Sequence, residues 1–509
     1  LELLFLLKVC MDILNNIASG FSVAVSVTNL LWCFVGVTMG TLVGVLPALG
    51  PLAAVSILLP IVFNISDPVT GIIFLAGVYY GTQYGGSTTA ILLNIPGEIS
   101  STVTTIDGNQ MARKGRAGAA LSIAAMASFF AGTVSTIIIA LLSQPLSKTA
   151  FFFGAAEYGA LMLLGLLAAV SLNHGSMLKG IAMVFVGILL GLVGSDVNSG
   201  AVRFTLGIQE LTDGIPFAIL AMGLFGLGEI VYLLFHERND NKITTTVDSL
   251  YPTKKEMKES LMPTVRGTFL GSILGLLPGG GAIMSSFASY AVEKKISKKP
   301  EEFGRGAVAG VAGPEAANNA GAQTSFIPML SLGIPTTPTI AIILAVLIIQ
   351  GIQPGTTVMT KHPDLFWGLI ASMWIGNFML LLLNLPLVGL WVSILRISWK
   401  VLYPMIIVIC LTGAYYINKS WFDVLLLLPF ALLGYIFKLL DCQPASLIMG
   451  FVLGELFEEH VRRALIISRG DWLVFLTKPI SLSFIVITCI LLVIGISFRK
   501  QNQKDNTKI

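Results

Sequence analysis

Apolar stretches separated by short polar breaks run along almost the whole chain. They lie around 23–46, 52–64, 70–95, 118–143, 158–172, 177–194 and 214–235, and again around 263–291, 306–350, 365–394, 401–417, 421–440, 443–456 and 480–498. A helix that crosses a bilayer needs roughly 20 mostly apolar residues. Several of these stretches are shorter, or are cut by Pro and Gly, so the pattern predicts about ten to twelve spanning helices. The longest hydrophilic stretch, 236–260, contains His236, Glu237, Arg238, Asp240, Lys254, Lys255 and Lys258 and falls near the middle. It divides the chain into a first transmembrane repeat (11–235), a linker (236–260) and a second repeat with extra C-terminal helices (261–498). A polar tail follows (499–509). Residues 1–10 read as an N-terminal extension or interfacial piece ahead of Met11, without the basic region and small-residue cleavage site of a signal peptide.

Composition sharpens this picture. Hydrophobic residues make up 55% of the chain and charged residues 11%. A soluble domain carries about 25% charged residues, so this chain lacks the polar groups to cover a water-soluble globule. The mean hydropathy is +0.85, and such apolar content also excludes disorder. A net charge of +4 spread over loops, with no basic–aromatic run, gives no argument for nucleic acid. The five cysteines have no CxxC pairing and read as small buried hydrophobes.

The halves resemble each other. The block from Gly40 to Gly50 (GTLVGVLPALG) recurs from Gly271 to Gly281 (GSILGLLPGGG) at a constant offset of 231 (271 − 40). A second pair follows: Gly81-Thr82-Gln83 with Gly321-Ala322-Gln323 at 240 (321 − 81), and Ile95-Pro96 with Ile334-Pro335 at 239 (334 − 95). Paired Gly/Pro-interrupted segments mark transporter repeats. Lys and Arg residues flank 267–291 on both sides. Placing both basic clusters in the cytoplasm requires that segment to enter and return as a re-entrant hairpin with Pro278-Gly279-Gly280-Gly281 at its tip. Three basic residues (Arg113, Lys114, Arg116) follow the first-half motif, against Lys361 balanced by Asp364 in the second. That asymmetry argues for inverted repeats.

Backbone that leaves the helical ladder at membrane depth must be covered by protein or line a cavity, so the Gly/Pro blocks are the first site candidates. Breaks expose N–H groups that attract anions and carbonyls that ligate cations. Gly36, Gly40 and Gly44, four apart, instead fit close helix packing. Two polar stretches stand out among the apolar ones, from Gly81 to Thr89 and from Gly313 to Ser325. Glu315, in the second, is the most telling residue, because a charge at membrane depth is costly and usually functional. Glu229 is a second acid in an apolar segment, with a structural role beside a basic partner as the alternative. No GxxxxGK[ST] loop, HExxH motif or Gly-x-Ser-x-Gly elbow occurs, so neither ATP hydrolysis by a P-loop nor an obvious catalytic set is encoded.

The segments Gly40–Pro51, Tyr79–Ser87, Leu277–Ala282, Gly313–Ala320 and Leu332–Pro335 closely resemble the large membrane (permease) subunit of the tripartite tricarboxylate transporters. The resemblance runs from about Met11 to about residue 480. Ala48 departs from it, standing where that family commonly has Gly. It implies an all-α polytopic membrane protein of the bacterial inner membrane that is not an enzyme. It further implies a small four-helix membrane subunit and a periplasmic solute-binding protein as partners, a tri- or dicarboxylate as substrate, and Na+ or H+ as coupling ion without further cofactor. An elevator-like movement of the two broken hairpins is the mechanism expected by analogy. The candidate substrate-binding residues are Pro47, Gly50, Thr82, Gln83, Ser87, Thr88 and Asn94 from the first half. From the second they are Gly279, Gly280, Asn318, Asn319, Gln323, Thr336 and Thr337, with Glu315 as the ion-coupling residue. The alternative is a stand-alone ion-coupled organic-anion permease.

Overall fold

Pro and Gly cut the apolar stretches into helices of very different length, and a computed structural model shows where each cut falls. It describes residues 2–46, 49–150, 153–172, 176–196, 199–236, 250–279, 281–353, 355, 358–394, 399–442 and 444–506. The first half contains α1 (Glu2–Ala24), α2 (Val27–Val45), α3 (Gly50–Phe63), α4 (Pro68–Leu93), α5 (Thr102–Met111), α6 (Ala117–Ala150), α7 (Ala155–Leu172), α8 (Met177–Gly191), α9 (Phe217–Ala221) and α10 (Gly228–His236). The second opens with α11 (Lys254–Gly275), α12 (Gly281–Ile296), α13 (Ala309–Thr324), α14 (Phe326–Leu332), α15 (Pro338–Ile349), α16 (Val358–Lys361) and α17 (Pro363–Asn384). It closes with α18 (Val388–Ile394), α19 (Trp399–Asn418), α20 (Trp421–Leu439), α21 (Pro444–Ile467), α22 (Val474–Thr477) and α23 (Pro479–Asn506). The strands Gly194–Ser195 and Val202–Arg203 form one small antiparallel pair between α8 and α9.

Among the described residues, six helices are long and apolar enough to cross a membrane, and five more apolar helices are shorter, 10–17 residues each. The chain is therefore an all-α polytopic membrane protein. The apolar stretches shrink because helices stop at their Gly/Pro punctuation: α3 starts at Gly50-Pro51, and α15 starts at Pro338 behind its cap Thr337. The hydrophilic stretch 236–260 is mostly outside the described residues, but its last part is helical. Thr253 and Glu256 form a capping box that starts α11 at Lys254, so the second half begins earlier than the polarity pattern indicates. Residues 2–10 belong to α1, which continues without a break past Met11.

Apolar character does not guarantee burial inside such a protein. On α20, Leu425, Leu428 and Leu432 are exposed at helical spacing, as on a face turned to lipid. The cysteine expectation holds for Cys33 and Cys410, which are buried, and fails for Cys442, which is half-buried, and Cys489, which is exposed.

Two units lie at the centre. In the first, Gly36, Gly40 and Gly44 of α2 lie against the backbone of Phe74, Val78 and Thr82 on α4. In the second, Gly267, Gly271 and Gly275 of α11 lie against Gly313, Ala317 and Gly321 on α13. A Cβ on Gly40 would come within 2.3 Å of the Val78 carbonyl oxygen, and one on Gly271 within 2.3 Å of that of Ala317. Every pairing recurs at the same two offsets, 231 for α2 onto α11 (267 − 36) and 239 for α4 onto α13 (313 − 74). The second offset places Thr82 opposite Gly321, one residue away from the alignment of Gly81 with Gly321. α11 and α12 turn on each other through 276–279, and Arg266 Nη2 bonds Glu293 Oε2 at 2.6 Å across the pair.

Candidate functional site

Each unit ends in a tip built the same way. At the first, Asn94 closes α4 in the left-handed conformation (φ 60°), followed by Ile95-Pro96 and then Glu98. At the second, Gly333 closes α14 in the same conformation (φ 72°), followed by Ile334-Pro335 and then Thr337. Left-handed backbone favours Gly and tolerates Asn. The start of α3, Gly50 (φ 60°), faces Glu98, and the start of α12, Gly281 (φ 45°), faces Thr337. The Gly279 N–H donates to the Thr336 carbonyl at 2.8 Å, which ties the second hairpin tip to its loop. Two helix N-termini, those of α12 and α15, thus start beside one another at this tip.

The polar centre lies where α4 and α13 meet. Tyr79 and Tyr80 of α4 pack on Phe326 beyond the end of α13, ring centroids 6.2 and 5.8 Å apart. Ser87, further along α4, reaches back to Glu315 earlier in α13, so the helices run antiparallel. Ser87 Oγ donates to Glu315 Oε2 at 2.6 Å, and Thr104 of α5 donates to Oε1. Ser128 also reaches this carboxylate. One turn along α13, Asn318 Nδ2 donates to Glu98 Oε1 at 3.2 Å, and Gln83, one turn back along α4, reaches Glu98 as well. The arrangement is two-layered: Gln83, Glu98 and Asn318 in one layer, Ser87, Thr104 and Glu315 in the next.

Glu98 and Glu315 are 8% and 1% exposed. None of the ion pairs among the described residues involves either. Two ionised carboxylates in adjoining layers would repel each other. Buried charge without a partner is costly, which sets these two acids apart from the ion-paired Glu229 and Glu293. A small opening adjoins the Glu315 layer and is lined by Tyr84, Ser87, Thr88, Ser128, Glu315 and Asn384 among others.

The candidate residues separate into groups. Gln83, Ser87, Thr88, Glu315 and Asn318 come together at the centre. Gly50, Asn94, Gly279, Thr336 and Thr337 sit at the tips, where the buried Thr336 hydroxyl has no hydrogen-bond partner. Asn319 and Gln323 bond Ser128 and Thr136 of α6 at 2.7 and 2.9 Å and hold α13 to that helix. Thr82 donates its hydroxyl to the Tyr79 carbonyl at 2.6 Å and lies against α2. Pro47 and Gly280 lie outside the described residues. Glu229 pairs with Lys438, whose ammonium sits 4.8 Å above the Tyr232 ring; this is the structural alternative raised for it.

The motif reading missed Glu98, Thr104 and Asp107. Asp107 Oδ1 accepts N–H bonds from Gly304, Gly306 and Ala307 at 2.9, 2.7 and 2.8 Å, and Oδ2 accepts the Tyr290 hydroxyl at 2.9 Å. It fastens the first half to the loop ahead of α13. Glu98 carried a readable signal, as the sole charged residue between Asp67 and Asp107, just as Glu315 is between Arg305 and Lys361.

Residues 30–449 match the Tripartite tricarboxylate transporter TctA family. The chain belongs to that family. An uncharacterized 52.8 kDa protein from the TAR-I ttuC' 3' region of Agrobacterium vitis is 54% identical over 496 residues, covering 97% of this chain and 99% of that protein. An uncharacterized protein from the TAR-II ttuC' 3' region of the same organism is 54% identical over 236 residues, 46% of this chain and 98% of its own length. No solved structure matches the chain. A TctA chain is the large membrane subunit of a transporter.

Proposed function

We propose that this TctA subunit imports a tricarboxylate or related carboxylate across the bacterial inner membrane, driven by a Na+ or H+ gradient. It works with a small four-helix membrane subunit and a periplasmic solute-binding protein that delivers the substrate. The observation that carries the reading is the pair of buried acids, Glu98 and Glu315, held by hydroxyls and amides with no basic residue paired to them among the described residues. Such a centre gains most from a cation or proton that the gradient supplies, and Glu315 is the coupling residue. The substrate carboxylate belongs at the second tip. There the N-termini of α12 and α15 favour negative charge, and Thr336 and Thr337 supply hydroxyls. The antiparallel α4 and α13, with contacts recurring at constant offsets, support a duplicated and inverted pair of units, and the broken hairpins would move together in an elevator-like step.

The test is uptake into proteoliposomes that contain this chain and the small subunit, with the binding protein and labelled citrate outside. Accumulation should need both the binding protein and an inward Na+ or H+ gradient. Full uptake without the binding protein would contradict the tripartite reading and favour a stand-alone permease.

A further inference from the structure

We propose that Glu98, with the side-chain oxygens of Gln83 and Asn318, forms a second cation site one helical turn from Glu315 that takes a bare Na+ ion. The inference deepens the gradient-coupled reading of Glu315 and rests on it. Asn318 gives its Nδ2 to Glu98, which holds its amide against that carboxylate. The amide's other end, Oδ1, is buried and has no hydrogen-bond donor, and Gln83 Oε1 is in the same position. Gln83 is 1% exposed and Asn318 0%, so water does not reach these oxygens freely.

A buried acceptor left without a donor is expensive. Here two such oxygens belong to amides that both contact a carboxylate with no basic partner among the described residues, and the three share one deficit. Hard cations take several oxygen ligands at once, so one ion can engage Glu98, Gln83 and Asn318 together. A proton on Glu98 supplies one donor and leaves one amide oxygen unpaired. A carboxylate substrate would be repelled by Glu98.

The second tip confirms the asymmetry. Thr337 lies 239 positions after Glu98 (337 − 98), and Asn318 lies 239 after Tyr79 (318 − 79). Tyr79 reaches Thr337 as Asn318 reaches Glu98, so the two contacts are exchanged counterparts. Only one of them carries an acid. The consequence is a carrier that loads two cations at the α4–α13 junction, one per layer.

Equilibrium binding of ²²Na+ to the purified full chain in detergent, without substrate or partners, tests this. The wild type should bind two Na+ per chain, with Glu98→Gln and Glu315→Gln binding one each. Gln83→Ala, which uncovers no carboxylate and removes one ligand, should weaken one of the two sites at least about tenfold. Each variant is compared as a monodisperse species of wild-type elution volume, and Gln83→Ala decides the matter if Glu98→Gln fails to fold. Binding unaffected by both Glu98→Gln and Gln83→Ala would overturn the second site while leaving Glu315 as a coupling residue. Loss of Na+ binding in Glu98→Gln with none in Glu315→Gln would support the Glu98 site and overturn the role given to Glu315. Absence of Na+ binding in the wild type would overturn the site, in favour of proton coupling. Carboxylate uptake is a separate measurement, so failure of the transport reading is visible independently.

Discussion

At the first tip, Asn94 turns the chain left-handed, Ile95-Pro96 follows, and Glu98 lies beside Gly50 at the start of α3. At the second, Gly333 turns the chain the same way, Ile334-Pro335 follows, and Thr337 lies beside Gly281 at the start of α12. The backbone is the same and the chemistry is different. Thr337 caps α15, its hydroxyl oxygen accepting from the Ile340 N–H at 3.3 Å, and carries no charge. Glu98 brings a negative charge of its own. The pair teaches that two copies of one backbone frame can differ in charge through an acid placed in one copy alone.

The largest effect tests the shared frame. Gly40→Leu and Gly271→Leu each force a side chain into carbonyl oxygens at 2.3 Å, so each should cost more than ~3 kcal/mol and abolish folded protein in size-exclusion chromatography. A half that tolerates Leu shows that the two frames are not equivalent. Next comes the charge. Thr337→Glu gives the second tip the acid of the first, and like-charge repulsion of ~3 kcal/mol should reduce carboxylate uptake about 100-fold while Na+ binding persists. Unimpaired uptake would remove the substrate from that tip. Arg266→Gln then tests the hairpin itself: Glu293, with a side chain 2% exposed, loses its partner, and stability should fall by ~1–3 kcal/mol in thermal unfolding. Smallest is Thr336→Val. Its hydroxyl has no partner among the described residues, so stability should change by less than ~0.5 kcal/mol, while the apparent KM for the carboxylate rises about fivefold.

The membrane class, the Gly-mediated packing and the break at Gly50-Pro51 were legible, because each depends on local residue type; the start of α15 at Pro338, inside the apolar stretch 306–350, was not. Glycines four apart predict close helix approach, and Gly36, Gly40 and Gly44 make it against α4. The offset of 240 between the Gly-x-Gln motifs was misleading, because Gly81 and Gln83 match Gly321 and Gln323 in letters while backbone packing sets Thr82 opposite Gly321. Glu315 was legible as an isolated charge in an apolar stretch. Its partners were not: Ser87, Thr104 and Ser128 come from three helices, and no spacing along the chain encodes that meeting. Glu98 carried the same isolated-charge signal, but its short loop between helices gave no membrane-depth cue, and its meaning came from Asn318, 220 residues away. Gln323 illustrates the converse, a polar residue in a promising stretch whose amide oxygen accepts the Thr136 hydroxyl at 2.9 Å.

The central claim is that a buried acid at the α4–α13 junction couples carboxylate movement to a cation gradient. Gradient-driven uptake of labelled citrate into proteoliposomes containing Glu315→Gln, with the small subunit and binding protein present, tests it most directly. The account predicts that the wild type accumulates citrate above the external concentration and that Glu315→Gln, inserted at the same level, no longer does. Accumulation by Glu315→Gln with unchanged dependence on the gradient would contradict it.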